Sequence, residues 1–423
     1  MSRMTTPSSS IPLRRTVLFE RHVKASARIV PFAGWEMPVE YPTGIFKEHA
    51  AVRTAAGLFD VSHMSALEFV GETAAGFLDA VLASAIARLE PGRAQYSYLL
   101  NEKGTALDDL YVYCISPTHF LLVVNASNAE NDVAWFRQLL GDPSSLLPDP
   151  RLASGVRFRE LRDAGPEARV VLAFQGPASA DILADALDRR ERAEAVRSSR
   201  LNDFFPDLSV WGIPVHVAHT GYTGAESGFE LFVHPDRAGE LWDRLLQQGR
   251  PQGVRPCGLG ARDSLRIEAG LPLFGHELEG DEKLSLTEAG YGFAVRMKKP
   301  FFVGKSAYAR RIVPQAKRLL RLSGSGRRSV RGGHAILDAQ GTCVGVVTSF
   351  AFLNPNFDFM VLAAVKAEFD PEPGTRIRAA RVTRDQVSAA LGPDKQIELT
   401  VRHRFPTLEE KQAWRSAYVD RSS

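Results

Sequence analysis

An alternating run of apolar residues that begins with two adjacent carboxylates places the strongest single constraint on the fold. The run is Leu107–Tyr113, and its alternation is typical of a β-strand with one buried face. Successive side chains of a strand point to opposite faces, so we expect one of Asp108 and Asp109 to point inward. A buried carboxylate is costly unless it has hydrogen-bond partners or chemistry to perform. The alternative is that both residues belong to the turn after Lys103 and Gly104, where aspartate is common.

The length and the composition predict more than one domain. With 423 residues the chain exceeds the size of one ordinary core, and we expect two or three domains. A hydrophobic fraction of 44% and a charged fraction of 24% are typical of soluble globular proteins. A formal net charge of +3, with no basic run among aromatic residues, argues against a nucleic-acid partner. The chain has no run of about 18 apolar residues, so we predict no membrane partner.

The cysteine pattern and the N-terminal residues both favour a cytoplasmic protein. The odd number and the wide spacing of Cys114, Cys257 and Cys343 support neither a disulfide framework nor a zinc site, and we predict no bound metal. Cysteines that form no disulfides are expected in a reducing compartment. Residues 1–15 begin with a polar stretch rich in Ser and Thr and lack the apolar segment of a secretory signal. We predict a disordered tail over these residues.

Two regions of different character follow the tail. Strand-like and helical patterns alternate over residues 16–315, which predicts an α+β body of two intertwined domains. Within this body, residues 30–41 contain two prolines and a glycine among large apolar residues, and we predict an irregular packed loop there. Residues 316–423 carry short strands and glycine turns, which are typical of a small all-β barrel or jelly roll. Asp338–Gly341 is predicted as a hairpin turn in this second region.

Two titratable residues lie among apolar strand residues. His63 is either a functional base or a histidine of the core. Glu230 follows a loop with three glycines between two strand-like runs, and such a loop lets the backbone come close to a ligand. This is not a phosphate loop, because the Lys-Ser/Thr ending and the following helix are both missing. Glu230 is therefore either a binding residue or a structural glutamate in a salt bridge.

A glycine-rich turn at residues 256–260 leads into a predicted helix that carries several charged residues. Arg262, Arg266 and Glu268 on this helix are expected within reach of one another or of a carboxylate ligand. The alternative is a ladder of internal salt bridges with no ligand.

Five motifs, taken together and in this order, resemble the glycine cleavage T-protein family, which comprises aminomethyltransferases and related tetrahydrofolate-dependent methyltransferases. The resemblance is dense over residues 16–310 and looser in the C-terminal part. Several independent motifs in the right order make a chance match improbable. The motifs are Phe32–Pro38 (FAGWEMP), Gly57–Met64 (GLFDVSHM), Leu107–Leu110 (LDDL), Thr220–Gly224 (TGYTG) and Gly258–Asp263 (GLGARD).

The resemblance implies an α+β fold with three domains arranged as a cloverleaf around a central cavity for tetrahydrofolate. It places Asp109 beside the reactive folate nitrogens. Glu230 would accept hydrogen bonds from the amino-pyrimidine edge of the pterin. Arg262 would hold a carboxylate or orient Glu230. The binding and catalytic residues implied in this way are Tyr96, Asp109, Asn125, Tyr222, Glu230 and Arg262.

Several positions depart from the family pattern. His219 stands where the family has arginine, and Phe293 stands where it has tryptophan. Four phenylalanines occupy a C-terminal loop that carries glycine and lysine in the family. We interpret them as narrowing and drying the substrate entrance, which would favour a small apolar or aromatic substrate. The alternative is that they pack the β domain. The four are Phe350, Phe352, Phe357 and Phe359.

This combination predicts a tetrahydrofolate-dependent demethylase. Its partner would be a small O-methyl donor, such as an aryl methyl ether, or an N-methyl donor, and N5 of tetrahydrofolate would receive the methyl group, giving 5-methyl-tetrahydrofolate. Asp109 would orient the folate and stabilise the charge that develops on its nitrogen. A leaving phenolate or amine needs a proton donor, for which His219, Tyr222 and His63 are the candidates.

Two other functions stay open from the sequence. One is an ordinary aminomethyltransferase, which forms 5,10-methylene-tetrahydrofolate and ammonia from an aminomethyl group on a lipoyl carrier protein. The other is a non-enzymatic folate-binding relative that serves assembly or repair. The presence of Asp109 argues against the second of these.

Overall fold

The computed structural model describes residues 12–387 and 391–419. Residues 1–11 of the predicted tail lie outside the described residues, whereas Arg14 and Arg15 form a short strand. The strands are β1 (Arg14–Arg15), β2 (Arg28–Phe32), β3 (Trp35–Glu40), β4 (Gly57–Asp60), β5 (Ser65–Val70), β6 (Arg93–Leu100), β7 (Ala106–Ser116), β8 (His119–Val124), β9 (Arg157–Glu160), β10 (Val170–Gln175), β11 (Phe204–Val210), β12 (Ile213–Ala218), β13 (Gly228–Val233), β14 (Arg255–Cys257), β15 (Lys317–Ser325), β16 (His334–Leu337), β17 (Cys343–Phe352), β18 (Asp358–Lys366), β19 (Arg376–Thr383) and β20 (Gln396–Arg402).

Helices flank these strands in the first three quarters of the chain and recur at its C-terminal end. Across the described ranges, no helix is long and apolar enough to cross a membrane. The α-helices are α1 (Phe19–Lys24), α2 (Ile45–Thr54), α3 (Ala74–Val81), α4 (Ala129–Gly141), α5 (Ser179–Ala186), α6 (Ala193–Arg197), α7 (Pro235–Gly249), α8 (Leu259–Glu268), α9 (Lys305–Arg311) and α10 (Leu408–Val419).

The predicted central strand is β7, in a five-stranded sheet of order β6-β7-β8-β5-β9. Its alternation separates two environments, as expected for a strand. Leu110 and Val112 pack with α3 and α4 on one face of the sheet. Tyr113 faces the other way, into the core that this sheet shares with a second sheet. From Leu110 to Ile115, the neighbours of each β7 residue are therefore fixed by whether its number is odd or even.

The second sheet has six strands in the order β11-β12-β13-β10-β4-β14. Helices α5 and α7 cover one of its faces and bury residues such as Leu183 and Trp242. Its other face meets the first sheet, where the rings of Tyr113 and Phe232 lie 4.9 Å apart between centroids. Two sheets that bury their inner faces against each other, with helices on the outer faces, make the two α+β lobes of the body.

Residues 30–41 form a β-hairpin, so the prediction of an irregular loop was wrong. Strands β2 and β3 pair antiparallel, and the turn at Ala33 and Gly34 has φ angles of 48° and 81°. Pro31 is tolerated because β2 is an edge strand of the β1-β3-β2 sheet. Pro38 lies beyond the part of β3 that pairs with β1 and next to a register shift, so no ladder bond needs its missing N–H.

A closed barrel of six strands, in the order β15-β18-β17-β16-β19-β20, forms the third lobe. This confirms the predicted α+β fold class with a C-terminal all-β barrel. The hairpin turn predicted at Asp338–Gly341 joins β16 and β17, and the Asp338 carboxylate accepts hydrogen bonds from the backbone N–H of Gln340 (3.0 Å) and Thr342 (2.8 Å). Such a side-chain-to-backbone bond is the usual reason for aspartate at a turn.

Candidate active site

A cavity of about 730 Å³ lies where β7, β13 and α8 converge. Each of these elements contributes one of the side chains that the resemblance implied: Asp109, Glu230 and Arg262. The remaining residues of that set also line the cavity, and so does His63. They are Tyr96, Asn125 and Tyr222.

Asp109 is half-buried at the wall of this cavity and is held by two neighbours. The Tyr96 hydroxyl donates a hydrogen bond of 2.7 Å to Asp109 Oδ2, and the Asn125 side-chain amide donates one of 3.1 Å to Asp109 Oδ1. Burial raises the pKa of Asp109, and these two hydrogen bonds oppose that rise. The result is a carboxyl group with a fixed direction that gains a proton more readily than an exposed aspartate.

Asp108 points to the opposite face of β7 and is fully buried, as alternation predicts. Its carboxylate accepts hydrogen bonds from the Asn125 backbone N–H (2.8 Å), the Asn125 side chain (2.9 Å) and the Asn128 side chain (2.5 Å). Because β7 begins at Ala106, the two aspartates do not belong to the preceding turn. The two aspartates therefore differ in role. Asp109 faces the cavity, whereas Asp108 holds Asn125 and Asn128 on the opposite face of the strand.

Glu230 lies on β13 opposite Ala173 and Ala218, and it is buried. Its Oε2 atom accepts hydrogen bonds from the Tyr113 hydroxyl (2.9 Å) and the Thr220 hydroxyl (2.5 Å). Among the described residues no lysine or arginine forms an ion pair with Glu230, which argues against the structural salt bridge considered above. A buried carboxylate that accepts only neutral donors retains the capacity to accept hydrogen bonds from a ligand.

Arg262 presents an unused donor to the same cavity. Its Nη1 atom is buried and has no hydrogen-bond partner in the described part of the chain. Burial lowers the pKa of Arg262, whereas the negative charge of Glu230 raises it. The guanidinium lies 5.2 Å from the ring centroid of Tyr222, a cation–π contact. The Tyr222 hydroxyl donates to the backbone oxygen of Pro272 at 2.5 Å and is therefore occupied by the protein itself.

His219, which was predicted to donate a proton to the leaving group, does not line the cavity. Its Nδ1 atom lies 2.9 Å from Ser199 Oγ and its Nε2 atom 3.1 Å from the backbone oxygen of Glu226. The ring also packs against Phe229, with centroids 5.0 Å apart. The physical reason is alternation after β12: the next residue, Thr220, turns inward to Glu230, and His219 turns away.

His63 lines the cavity, whereas the sequence alone favoured a histidine of the core. Its Nδ1 atom is buried without a hydrogen-bond partner in residues 12–387 or 391–419. Burial lowers the pKa of His63 to about 4, so the ring is neutral near pH 7. A neutral imidazole with an unpaired nitrogen can form a hydrogen bond to a ligand, but it carries no extra proton to donate as a general acid near pH 7.

The three α8 residues singled out from the sequence have separate partners: Arg262 lines the cavity, Arg266 belongs to one buried network and Glu268 belongs to another. Arg266 donates hydrogen bonds of 2.8 Å each to the side chains of Asp263, Glu277 and Ser349. Glu268 lies on the opposite side of the helix. The sequence did not single out Glu277, although a carboxylate partner for Arg266 was expected. Through Ser349 this network joins the barrel to the helix that carries Arg262.

The four phenylalanines that were predicted to lie in a C-terminal loop do not line this cavity, and three of them lie on strands β17 and β18. Phe350 and Phe352 pack against the barrel core, with their ring centroids 4.9 Å apart. Phe359 belongs to that core and borders a different cavity, between the barrel and α10. Phe357 contacts Phe352 at 5.5 Å between centroids. They pack the β domain, so the interpretation that they narrow the substrate entrance was wrong.

The residues present fit a reduced pterin. Glu230 can accept hydrogen bonds from an amino-pyrimidine edge, and the unpaired Arg262 Nη1 and His63 Nδ1 atoms need partners that only a ligand or water would provide. Tyr111 and Phe274 supply flat apolar walls in a cavity large enough for a ligand of this size. Across the described ranges, no cluster of His, Cys, Asp or Glu side chains could hold a metal ion.

Comparisons with known proteins agree on one family. The family model described as the GCVT N-terminal domain matches residues 18–299. The aminomethyltransferase of Desulfitobacterium hafniense is 38% identical over 348 residues, which cover 81% of this chain and 88% of that protein. The aminomethyltransferase of Symbiobacterium thermophilum is 41% identical over 346 residues, which cover 80% and 86%.

The structural comparison covers more of the chain. The crystal structure of glycine cleavage system aminomethyltransferase T from Bartonella henselae matches with a TM-score of 0.74 at 32% sequence identity. The match spans 92% of this chain and 97% of that structure, so it includes the barrel as well as the two α+β lobes.

Proposed function

Because this chain belongs to the GCVT family of glycine cleavage T-proteins, which are tetrahydrofolate-dependent one-carbon transferases, we propose that it is an aminomethyltransferase. In the proposed reaction, the carbon of an aminomethyl group on a lipoyl carrier protein passes to tetrahydrofolate. The products are 5,10-methylene-tetrahydrofolate, ammonia and the reduced lipoyl arm. The family also confirms tetrahydrofolate as the predicted cofactor.

The prediction of an aryl-methyl or N-methyl demethylase was wrong. The relatives that match over four fifths of this chain are named aminomethyltransferases, and so is the matching crystal structure. The demethylase interpretation depended on the four phenylalanines narrowing the entrance, and these side chains pack the barrel instead. Without that argument, the small-molecule methyl donor has no support as a partner.

The observation that carries the proposal is the direction of the Asp109 carboxyl group, held by Tyr96 and Asn125 at the cavity wall. Tetrahydrofolate supplies two nitrogen atoms, N5 and N10, that accept the transferred carbon. Positive charge develops at the reacting nitrogen and carbon, and a fixed carboxylate beside them stabilises that charge without reorganising. Glu230 and Arg262 support this role, because they line the same cavity as Asp109 and can bind and orient the pterin there.

Ammonia needs a proton to leave, and the structure narrows the candidates. His219 lies outside the cavity, and the Tyr222 hydroxyl already donates to Pro272. Burial raises the pKa of Tyr222 well above 10, so this hydroxyl does not ionise near neutral pH. Asp109 is the cavity group whose raised pKa best suits holding and releasing a proton. We assign it both the charge-stabilising and the proton-transfer role.

A reconstituted assay tests the proposal. The protein is mixed with tetrahydrofolate and a lipoyl carrier protein loaded with the aminomethyl group, and the folate product is identified by mass spectrometry. We expect 5,10-methylene-tetrahydrofolate and one ammonia per turnover. Asp109→Asn should lower kcat by about 100-fold, as loss of a fixed electrostatic group does, while the fold is kept. Asp142→Asn, at an exposed aspartate after α4, is the matched control. No turnover with the loaded carrier would overturn the proposal.

A further inference from the structure

Two buried carboxylates behind Asp109 have no role in the reaction described so far. Asp108 is one, on the far face of β7, and Asp132 in the first turns of α4 is the other. Both side chains are fully buried. No hydrogen-bond donor in the described part of the chain reaches either carboxylate oxygen of Asp132. A buried carboxylate without a donor is rare enough to require an explanation.

Asp108 is the side chain that acts on Asp132 as a hydrogen-bond partner, and Asn128, which caps the helix that carries Asp132, donates a hydrogen bond of 2.5 Å to Asp108. Among the described residues, the groups that act most strongly on this pair are the carboxyl of Asp109 and the neutral amides of Asn125 and Asn128, and none of these is a cation. Two ionised carboxylates in such surroundings would repel each other, and neither could be a donor. A single proton between them removes one charge and creates the missing hydrogen bond.

The same contacts lead from this pair to the cavity. Asp108 accepts hydrogen bonds from both the backbone N–H and the side-chain amide of Asn125. That side-chain amide also donates to Asp109, at 3.0 Å to the backbone oxygen and at 3.1 Å to Oδ1. The orientation of the Asn125 amide therefore depends on Asp108 on one side and sets the direction of Asp109 on the other.

We propose that Asp108 and Asp132 share one proton, and that this pair fixes the Asn125 amide that aims Asp109 into the cavity. Asp132 is then a positioning residue, since it touches neither substrate nor folate. The shared proton is a statement about the protein alone, whereas the effect on turnover rests on the proposed aminomethyltransferase activity.

The shared proton makes the site sensitive to alkaline pH. Burial raises the pKa of Asp132 to about 7 and raises that of Asp108 well above its usual range. Because the folded protein holds this proton more tightly than the unfolded chain, stability decreases as the pH rises from about 4 through the range in which the folded pair loses its proton. Loss of the proton also places a second negative charge behind Asn125, which weakens its hold on Asp109.

The first test needs no activity and no variant at position 132. Aspartate carboxyl carbons are labelled with ¹³C, and their NMR shifts are followed against pH in the unmodified protein and in Asp109→Asn. We expect an aspartate that stays protonated at pH 6 in both proteins, where exposed aspartates are ionised. If every aspartate carboxyl is ionised at pH 6, the shared proton is excluded, whatever the protein catalyses.

The second test separates positioning from a general loss of structure. Asp132→Asn puts an amide donor in place of the shared proton, so kcat at pH 7 should stay within about 3-fold and its decline at alkaline pH should disappear. Asp132→Ala removes the partner of Asp108, and kcat should fall by about 10-fold or more with little change in KM for tetrahydrofolate, because a misdirected group slows the chemical step. Asp142→Asn should reproduce the unmodified profile. An unchanged pH profile in Asp132→Asn would overturn the positioning role.

Discussion

The hydroxyl of Tyr96 donates a 2.7 Å hydrogen bond to Oδ2 of Asp109, and this bond links neighbouring strands β6 and β7 at the cavity wall. It leaves the other oxygen, Oδ1, to Asn125. Tyr96 also lies against Tyr291, with ring centroids 5.5 Å apart, so its ring position is fixed by packing and its hydroxyl by Asp109. The bond can therefore be removed without moving the ring.

We predict that Tyr96→Phe lowers kcat by about 10-fold and changes KM for tetrahydrofolate little, because the lost bond directs Asp109 without touching the pterin edge. The free energy of unfolding should fall by about 1 kcal/mol, the usual net value of one hydrogen bond. Steady-state kinetics and urea unfolding measure the two effects. Tyr98→Phe removes a hydroxyl that lies 3.1 Å from that of Tyr96 but not on Asp109, and it is the matched control. Equal kinetic losses in both variants would contradict the prediction.

The local sequence predicted the strand and its aspartates, because alternation is a property of neighbouring residues. It predicted that Asp108 and Asp109 would differ, and the structure agrees. It did not predict Asp132 as a partner, because that contact joins residues 24 positions apart through the docking of α4 on the sheet. The sequence separation between a helix and a strand does not determine which of their residues will be in contact.

Other predictions failed where one pattern is compatible with two environments. Prolines usually break strands, and Pro31 and Pro38 fit into a hairpin only because of edge positions that depend on where β1 pairs. Phenylalanines pack a barrel or line an entrance equally well, so Phe350 and Phe352 could not be assigned by composition. The glycine loop was expected to let the backbone approach a ligand. At Gly221 the structure gives a second reason for glycine, because any larger side chain would collide with Gln175.

Glu230→Gln should weaken tetrahydrofolate binding rather than slow the chemical step. The carboxylate accepts from Tyr113 and Thr220 and has lone pairs left for a pterin edge, whereas an amide directs an N–H at one of these donors or at the ligand. Loss of a hydrogen bond to a charged group corresponds to about 1.5–3 kcal/mol, or about 10- to 100-fold in Kd. Isothermal titration with tetrahydrofolate measures this change.

The control for this variant is Glu194→Gln, an exposed glutamate on α6, which should bind with unchanged Kd. The outcome that would exclude Glu230 from the binding site is an unchanged Kd in Glu230→Gln together with a normal unfolding curve.

His219→Gln should leave turnover within about 2-fold of the unmodified protein. The histidine contacts Ser199 and the backbone of Glu226 and lines no part of the cavity, so its loss removes structural hydrogen bonds only. We expect the free energy of unfolding to decrease by about 1 kcal/mol, since glutamine replaces only part of these bonds. A pH–rate profile is the decisive measurement, because a catalytic histidine would move its acidic limb. A shift of the acidic limb in His219→Gln would show that His219 takes part in catalysis.

Glu268 is predicted to stabilise the fold at neutral pH and to lose that effect in acid. Its Oε2 atom accepts hydrogen bonds from Arg53 Nε (2.7 Å) and lies 3.0 Å from His49 Nε2, and all three side chains are buried. Burial raises the pKa of Glu268, but the charges and hydrogen bonds of Arg53 and His49 outweigh burial and lower the pKa to about 2. The folded pKa thus lies below the unfolded value of about 4.3. The contribution is therefore complete above about pH 5 and is lost as the pH falls toward 2.

Glu268→Gln should lower the free energy of unfolding at pH 7 by about 3–5 kcal/mol, because the buried Arg53 is left without an anionic partner. Its stability should also decrease less steeply between about pH 5 and pH 2 than that of the unmodified protein, since the group that takes up the proton is absent. Urea unfolding at a series of pH values measures both effects. Glu240→Gln, on the exposed side of α7, removes surface ion pairs and should cost less than about 1 kcal/mol. Parallel pH curves for the unmodified protein and Glu268→Gln would show that this carboxylate does not titrate as its partners require.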